Sequence, residues 1–323
     1  MRALPHAFDA GQLPALLADG WEFEVESEDY AAVGGGSYHW VVRDATGGLA
    51  FVTVDDLDQK PWLGDTRDDV FDGPRRAFDT AVALRESGLD FVVAPLPDAG
   101  GASLRRVDSR HAVALFPFVE GQAGRFGEYE PAERDAVIRM LDELHLATPA
   151  VSAVARRLPL DVPGRGHLEV ALRELDEPWS GGPFSEPVRE ALARHASDVA
   201  ELFALADRLR ADVAAHGGDW VITHGEPHAG NVMRVDGSYV LVDWDTVALA
   251  PAERDFWMLG DGPGRKVDQA AMDFYRLAWD LDDLAAFTNE LRLPHRESKD
   301  TVKAYEGVQH CLAARARWAA WLA

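Results

Sequence analysis

The chain has 323 residues, 47% of them hydrophobic, which is enough for two lobes around a cleft and argues against extensive disorder. Its formal net charge of −23 at pH 7 excludes the basic surface that nucleic-acid binding requires and is compatible with a cationic substrate. Cys311 is the only cysteine, which excludes an internal disulfide framework. We find neither a signal peptide nor an apolar run of membrane-spanning length, and therefore expect a cytoplasmic protein without membrane partners.

The first third of the chain predicts a strand meander with one helix. Runs of β-branched and aromatic residues, separated by glycine-rich turns, indicate strands over residues 21–25, 30–33, 38–43 and 49–54. Apolar residues at helical spacing then predict a helix over residues 72–87, which ends at Gly88. Two further strands are predicted over residues 91–95 and 112–116. These elements indicate an antiparallel sheet accompanied by one helix.

From Pro131 onward the pattern is mainly helical. Helices are predicted over residues 131–146, 168–176, 186–216 and 267–323. A loop and hairpin interrupt them at residues 223–245. A hinge near residues 117–121 divides the chain into a predicted N-terminal lobe, residues 1–117, and a larger C-terminal lobe, residues 118–323. The predicted fold class is α+β.

The most informative segment runs from His224 to Asp245. It places Glu226 five residues before Asn231, and Asp243 twelve residues after Asn231. A carboxylate such as that of Glu226 can orient a hydroxyl group and accept its proton. The oxygens of Asn231 and Asp243 are ligands of the type that Mg²⁺ prefers, and Asp245 can add a third from the same side of a strand. This spacing predicts phosphoryl transfer, which depends on positioning and charge neutralisation.

His224 and His228 lie four residues apart and could be interpreted as a metal-binding pair. Pro227 lies between them, and Gly225 and Gly230 accompany them, so the segment is predicted to be a loop and not a helical zinc motif. We therefore expect both histidines to brace the loop by hydrogen bonding.

The segment His224-Gly225-Glu226-x-His228-x-x-Asn231, followed by Val242-Asp243-Trp244-Asp245, resembles the aminoglycoside phosphotransferase family of kinase-like enzymes. Residues 141–145, 115–121 and 251–256 also resemble parts of that family, namely a helix end, the hinge, and a segment whose aspartate sets up the next helix. The resemblance implies a bilobal protein-kinase-like fold, with an antiparallel sheet lobe that holds one helix and a larger, mainly helical lobe. It also implies ATP or GTP as the phosphate donor, Mg²⁺, and a small-molecule hydroxyl as the acceptor.

The resemblance also implies roles for individual residues. The catalytic candidates are Glu226, as acid or base, and His224. The metal-ligand candidates are Asn231, Asp243 and Asp245. The nucleotide is expected to contact the backbone of the glycine-rich loop, formed by Gly34, Gly35, Gly36 and Ser37, and the hinge at Phe116 and Phe118.

Two positions depart from the pattern of the family. Glu226 stands where the family carries aspartate, which keeps the carboxylate but adds a methylene group. On the third strand, Thr53 stands where the family presents a lysine to the nucleotide phosphates. Three explanations remain open. A cation from Arg43, His39 or Lys60 replaces that lysine, the nucleotide binds differently, or the protein is a kinase-like binder with weak or no catalysis.

The sequence does not identify the acceptor site. Asp280, Asp282, Asp283 and Glu290 can bind the amino groups of an aminoglycoside or aminocyclitol, although a solvated helix face is the simpler interpretation for most of them. The leading hypothesis is a Mg²⁺-dependent O-phosphotransferase that moves the γ-phosphate of a nucleotide to a hydroxyl of such a molecule, as in antibiotic modification. The alternatives are the weakly catalytic binder and a metabolic kinase acting on a sugar or an amino alcohol.

Overall fold

The computed structural model describes residues 1–60, 63–64, 66–127, 129–260 and 266–313. These residues belong to two compact units. The first comprises Met1–Pro159 with Gly218–Lys266, and the second comprises Leu160–Gly217 with the chain from Val267 onward. Each unit is described by itself.

The described strands and helices follow one another along the chain. The strands are β1 (Val25–Tyr30), β2 (Ser37–Asp44), β3 (Leu49–Asp56), β4 (Arg105–Arg106), β5 (His111–Pro117), β6 (Gln122–Ala123), β7 (Val221–Thr223), β8 (Val232–Val235), β9 (Ser238–Leu241) and β10 (Ala248–Ala250). The α-helices are α1 (Leu13–Trp21), α2 (Arg67–Glu86), α3 (Pro131–Leu146), α4 (Thr148–Val151), α5 (Arg165–Arg173), α6 (Ser185–Arg194), α7 (Ala196–His216), α8 (Glu253–Phe256), α9 (Gln269–Arg292) and α10 (Lys299–Ala313).

The first unit contains an antiparallel sheet in the order β1-β2-β3-β5-β4. His39 on β2 lies opposite Thr53 on β3, and Thr53 lies opposite Ala114 on β5. Because side chains alternate between the two faces of a strand, His39, Thr53 and Ala114 share one face of the sheet. Asp55, two residues after Thr53, lies on that face as well.

Different helices cover the two faces of this sheet. On one face, the fully buried Leu17 of α1 packs with Trp40. On the other face, Phe78 of α2 packs with Ala114. Fully burying a leucine or phenylalanine side chain contributes about 1.5–3 kcal/mol, so these contacts fix each helix to its own face. The face that carries Thr53 is therefore the one covered by α2.

The strands predicted at residues 21–25 and 30–33 are wrong. Trp21 ends helix α1, and a single strand, β1, spans the gap between the two predicted ones. The signals for α1 are present, since Pro14 lies in the first turn and the buried Leu13 and Leu17 are one helical turn apart. Strand β1 exposes its four central residues and shows no alternation of apolar side chains, so the sequence pattern does not reveal it.

Most other elements were predicted within a few residues of their bounds. Confirmed are the strands predicted at 38–43, 49–54 and 112–116 and the helices predicted at 72–87, 131–146 and 168–176. Helix α2 begins earlier than predicted because Thr66 and Asp69 form a capping box at its start. The strand predicted at 91–95 is wrong, because this segment contributes an isolated bridge between Val92 and Leu241.

The loop and hairpin predicted at residues 223–245 are also confirmed, and they belong to the first unit. Strands β8 and β9 form the hairpin, and β6 pairs with β8. Strand β7, which leads into the loop, pairs with β10. The segment between β7 and β8 is therefore held at both ends by strands.

The second unit is helical, and α5, α6, α7, α9 and α10 enclose its hydrophobic core. The helix predicted at 186–216 is two helices, α6 and α7, with a break at His195, whose Nδ1 lies 3.1 Å from Asp198. The tail predicted as helical at 267–323 contains α9 and α10, and residues 314–323 lie outside the described residues.

Within the described part of the chain, no helix combines the length and the apolar character that crossing a membrane requires. The lobe boundary at residue 117 stays a prediction.

The carboxyl group of Asp282, on α9, gives the second unit a testable pH dependence. Its Oδ1 is buried and makes no hydrogen bond to the described residues. Burial, and then the neighbouring Asp283, raise the pKa of Asp282 to about 7. Because this pKa lies above that of the unfolded chain, the native state loses stability as the pH rises from about 4 to about 7.

Asp282→Asn changes the free energy of unfolding relative to wild type. We expect this change to be about 1–2 kcal/mol more favourable at pH 8 than at pH 5. Urea unfolding of both proteins at the two pH values measures the difference. Asp90→Asn is the control, because the Asp90 side chain is 91% exposed and its replacement should change the free energy of unfolding little. Equal effects of Asp282→Asn at both pH values would contradict the prediction.

Candidate active site

The imidazole of His224, which is fully buried, holds the loop that follows β7. Its Nε2 donates to the carbonyl oxygen of Val242 at 2.9 Å, and its Nδ1 accepts from the backbone N–H of Glu226 at 3.3 Å. Burial lowers the pKa of His224 to about 4, so the ring is neutral and carries its proton on Nε2. Trp244 packs edge-on against it, with ring centroids 4.6 Å apart. Both ring nitrogens therefore serve contacts within the protein.

Asp255, in α8, anchors the same loop. Its carboxylate accepts hydrogen bonds from the backbone N–H groups of His224 at 3.2 Å and Gly225 at 2.7 Å, and from Nε2 of His145 at 2.8 Å. Burial opposes ionisation of this 0% exposed group, but the hydrogen bond and charge of His145, with the Gly225 N–H, outweigh it and lower the pKa of Asp255. The helix end and the aspartate segment noted in the sequence thus meet at this loop.

Arg254 closes the other side of the loop. Its Nη1 donates to Oγ1 of Thr223 at 2.8 Å, and its Nη2 donates to the carbonyl oxygen of Thr246 at 3.0 Å. A side chain at position 225 would collide with this guanidinium, and Gly225 adopts a φ of +99°. The loop therefore requires glycine at this position.

Asn231 connects Glu226 with the strand that leads to Asp243. Its side-chain Nδ2 donates to the backbone carbonyl oxygen of Glu226 at 3.0 Å, and its backbone carbonyl oxygen accepts from the N–H of Val242 at 3.0 Å. The side chain is buried. Because Nδ2 is used within the loop, Oδ1 is the atom that Asn231 presents to a ligand.

Asp243 follows β9 in a left-handed backbone conformation, with a φ of +67°. Such a conformation costs on the order of 1 kcal/mol for a residue with a side chain. Its carboxyl group lies within hydrogen-bonding reach of Asp245. Desolvation by the surrounding atoms, and then the charge of Asp245, raise the pKa of Asp243, although its side chain still reaches solvent. The charge of Lys60 acts in the opposite direction. This carboxylate pair favours a nearby cation.

Lys60 directs its ammonium towards this pair. Its Nζ lies 2.6 Å from Oδ1 of Asp55, 3.1 Å from Oγ of Ser37 and 3.9 Å from Oδ2 of Asp245. Burial alone would lower the pKa of Lys60, but the charge of Asp55 and then that of Asp245 outweigh it and raise the pKa. The ammonium therefore stays protonated, and it comes from the turn after the third strand.

The other two cations considered for this position do not supply a charge here. His39 lies 3.2 Å from Oγ1 of Thr53 through its Nδ1 and stacks on Phe51, with ring centroids 5.1 Å apart. Burial, and then the charge of the N-terminal amine, lower the pKa of His39 to about 4, so the ring is neutral at pH 7. Arg43 is exposed near the opposite end of β2, where it pairs with Leu49.

The glycine-rich loop, Gly34, Gly35, Gly36 and Ser37, leads from β1 into β2. Gly34 and Gly36 have φ angles of +66° and +80°, which glycine adopts without strain. Ser37 is buried and donates its hydroxyl to Oδ1 of Asp55 at 2.6 Å. This hydroxyl ties the end of the loop to the pair formed by Asp55 and Lys60.

The segment predicted as the hinge follows β5. Phe116 pairs with Phe51 on β3 and packs edge-on against Phe78 of α2, with ring centroids 5.4 Å apart. Phe118 lies just beyond the strand. In the part of the chain that the structure describes, the backbone groups of residues 118–120 make no hydrogen bond to other backbone groups. Their hydrogen-bonding capacity is therefore not used by the described backbone.

Sequence reasoning did not single out Asp55, although the alternation of β3 places it on the same face as Thr53. It named Lys60 only as one of three options, because the approach of its side chain depends on the turn at Leu57–Gln59. His228 lies in the loop but turns to Phe126, with ring centroids 4.8 Å apart, and burial lowers its pKa to about 4.

Residues 24–287, which form most of the chain, match the model of the phosphotransferase enzyme family. The chain belongs to this family. The resemblance to aminoglycoside phosphotransferases is thereby confirmed. The protein is a kinase-type phosphotransferase that acts on hydroxyl groups of small molecules.

Similar proteins extend this comparison. Protein StrN from Streptomyces griseus is 29% identical over 245 residues, which cover 71% of this chain and 74% of StrN. The crystal structure of spectinomycin phosphotransferase APH(9)-Ia, in complex with ADP and spectinomycin, aligns with a TM-score of 0.72 and 15% identity, covering 96% of this chain and 98% of that one. Choline kinase LicA from Streptococcus pneumoniae aligns with a TM-score of 0.55 and 15% identity, covering 94% and 98%. The predicted α+β, kinase-like fold class is confirmed.

The anchoring role of Asp255 can be tested by Asp255→Asn. The amide cannot accept all three hydrogen bonds and leaves a buried donor unpaired, so we expect the free energy of unfolding to fall by about 2–4 kcal/mol. Urea unfolding measures this loss. Asp68→Asn is the matched control, because the Asp68 side chain is 90% exposed and its replacement should have little effect. A loss for Asp255→Asn no larger than that of the control would exclude the role.

Proposed function

We propose that this phosphotransferase moves the γ-phosphoryl group of ATP or GTP to a hydroxyl of a small molecule with the help of Mg²⁺. The observation that carries the proposal is the hydrogen-bonded connection between Glu226, Asn231 and the segment of Asp243. The side-chain amide of Asn231 donates to the Glu226 backbone carbonyl, and the backbone carbonyl of Asn231 accepts from the N–H of Val242, the residue before Asp243. Groups for proton transfer and for metal binding are thus held in one frame.

In this proposal Glu226 orients the acceptor hydroxyl and takes up its proton. Its backbone is fixed twice, by the N–H bond to His224 and by the bond from Asn231. The longer side chain, compared with the aspartate of the family, reaches one methylene further from this fixed backbone. The acceptor hydroxyl would accordingly lie further from the loop.

The donor set of Asn231, Asp243 and Asp245 fits Mg²⁺. One amide oxygen and two carboxylates are hard oxygen ligands of the kind that Mg²⁺ prefers. Among the described residues, no three His, Cys, Asp or Glu side chains form a metal-binding group, so the proposed site depends on the amide. When bound, Mg²⁺ would neutralise charge on the phosphates.

The nucleotide is proposed to lie on the α2 side of the sheet. The backbone groups of residues 118–120 suit the hydrogen-bonding edge of a base, and Phe116 lies beside them. The N–H groups of the loop from Gly34 to Ser37 suit the phosphates. The choice between ATP and GTP depends on whether the backbone groups of residues 118–120 match the hydrogen-bonding edge of adenine or that of guanine.

For the acceptor we propose a hydroxylated amine of the aminoglycoside or aminocyclitol type. The net charge of −23 favours a cationic molecule, and the high structural similarity to spectinomycin phosphotransferase makes spectinomycin a suitable first member of the test panel. Choline belongs in the panel because of the similarity to choline kinase LicA. A cytoplasmic location stays a prediction.

The role of Glu226 predicts the behaviour of Glu226→Gln. The amide keeps the size of the side chain but cannot accept the proton, so we expect kcat to fall roughly 10²- to 10⁴-fold with nucleotide affinity within about threefold of wild type. Phosphorylated product from the acceptor panel, followed by mass spectrometry, gives kcat, and calorimetry gives affinity. Glu86→Gln, at the exposed end of α2, is the control. Unchanged turnover in Glu226→Gln would remove Glu226 from the mechanism.

The role of Asp243 predicts the Mg²⁺ dependence of nucleotide binding. In the wild type, Mg²⁺ should strengthen binding of a non-hydrolysable ATP or GTP analogue, and Asp243→Asn should lose most of that gain, by about tenfold or more. Asp236→Asn is a matched control, because Asp236 also has a positive φ, of +47°, but lies in the β8–β9 turn. If Mg²⁺ strengthens binding equally in Asp243→Asn and wild type, Asp243 is not a ligand.

A further inference from the structure

Lys60 is buried, unlike the other three lysines of the chain. The sequence contains four lysines, and Lys266, Lys299 and Lys303 are exposed, whereas Lys60 is 4% exposed. Burying an ammonium group is costly unless it is paired and hydrogen-bonded. The buried Lys60 supplies a positive charge at a fixed position.

The turn after β3 explains how this charge reaches the site. Asp56 caps the single helical turn Leu57–Gln59, and Lys60 ends that turn with its N–H bonded to the carbonyl oxygen of Leu57. The side chain then runs back past Gly36, where a Cβ would lie 3.8 Å from Cε of Lys60. The ammonium thereby returns to the face of the sheet that carries Thr53.

The hydrogen bonds that the ammonium makes to the described residues leave one of its donors available. An ammonium group has three N–H donors. Asp55 and Ser37 accept two of them, at 2.6 Å and 3.1 Å, whereas Oδ2 of Asp245 lies at 3.9 Å, beyond hydrogen-bonding distance. The remaining donor is therefore available to a ligand close to Ser37 of the glycine-rich loop and to Asp245.

We propose that Lys60 binds the nucleotide phosphates in place of the lysine that Thr53 replaces, and that Asp55 orients it. This inference rests on the proposed function, since it assumes a nucleotide on this face of the sheet. The position fits a phosphate ligand, because Lys60 lies between Ser37 of the expected phosphate loop and Asp245 of the proposed metal site. An ammonium group binds phosphate as a point charge on a flexible side chain. It can therefore reach a phosphate from the turn after β3 as well as from the strand itself.

Asp55 supplies the carboxylate that orients the ammonium of Lys60. It is buried and accepts from both Lys60 and the Ser37 hydroxyl. The carboxylate of Asp79 on α2 is engaged elsewhere, with Ser103 at 2.6 Å and with Arg75 at 2.8 Å. The cation and its partner thus both come from β3 and the turn that follows it.

The experiment compares ligands that differ only in their phosphates. Calorimetry measures binding of adenosine, ADP and Mg²⁺ with a non-hydrolysable ATP analogue, and of the corresponding guanosine ligands, to wild type and to Lys60→Met. We expect Lys60→Met to bind the nucleoside within about twofold of wild type and the triphosphate analogue roughly 10- to 100-fold more weakly. The loss should grow with the number of phosphates.

Arg43→Met is the matched control, because it removes the exposed candidate cation of β2 and is expected to leave all affinities unchanged. Nucleoside binding by Lys60→Met also reports that the variant is folded. If the variant does not fold, a crystal structure of the wild type with the Mg²⁺-bound triphosphate analogue decides, and we expect Nζ of Lys60 within about 3 Å of a phosphate oxygen.

Two outcomes overturn the proposal while leaving the proposed function intact. One is that wild type and Lys60→Met bind the phosphorylated ligands equally well. The other is a nucleotide complex in which Lys60 remains on Asp55 and Ser37 without contacting a phosphate. Absence of nucleotide binding in the wild type would instead refute the proposed function, and this inference with it.

Discussion

The loop after β7 depends on the buried carboxylate of Asp255. Removing a carboxylate from water costs several kcal/mol, and donors within the protein must replace the lost water. Two of the three donors here are consecutive backbone N–H groups, those of His224 and Gly225, so the carboxylate fixes the backbone itself. The third donor, His145, brings helix α3 to the same point. The pairing thus sets both the direction of the loop and its distance from the helix.

Further hydrogen bonds extend from this anchor to the chemically active groups. His224 joins the loop to Val242, and Asn231 joins the loop to the same residue from the other side. The backbone of Asp243 follows directly, and its left-handed conformation is held by neighbours on both sides. Strain of this kind persists only where the surroundings over-determine the backbone. Glu226 shares the frame through its own N–H and carbonyl groups.

The sequence predicts the parts of this arrangement that depend on neighbours along the chain. Glu226 and Asn231 are five residues apart and bonded, so their spacing carries the information. His145 and Asp255 are 110 residues apart, and only their resemblance to family segments brought them to notice. The position of Lys60 could not be predicted, because a single helical turn after β3 decides whether its side chain leaves the sheet or returns to it. Helix α1 was missed although two of its leucines are one turn apart. The polar strand β1 that follows it shows no alternation of apolar and polar residues, so the sequence does not mark where the helix ends and the strand begins.

The charges around Lys60 explain how the third strand can carry threonine. Three carboxylates, those of Asp55, Asp243 and Asp245, contribute to the field at this ammonium, and the closest of them, Asp55, takes most of its charge. Desolvation and then the charge of Asp245 raise the pKa of Asp243. A bound divalent cation would offset the charge of this carboxylate pair, and phosphates would then meet positive charge from the metal and from Lys60. If the metal and Lys60 supply both charges, the phosphates would not need a further cation from the third strand, where Thr53 is neutral.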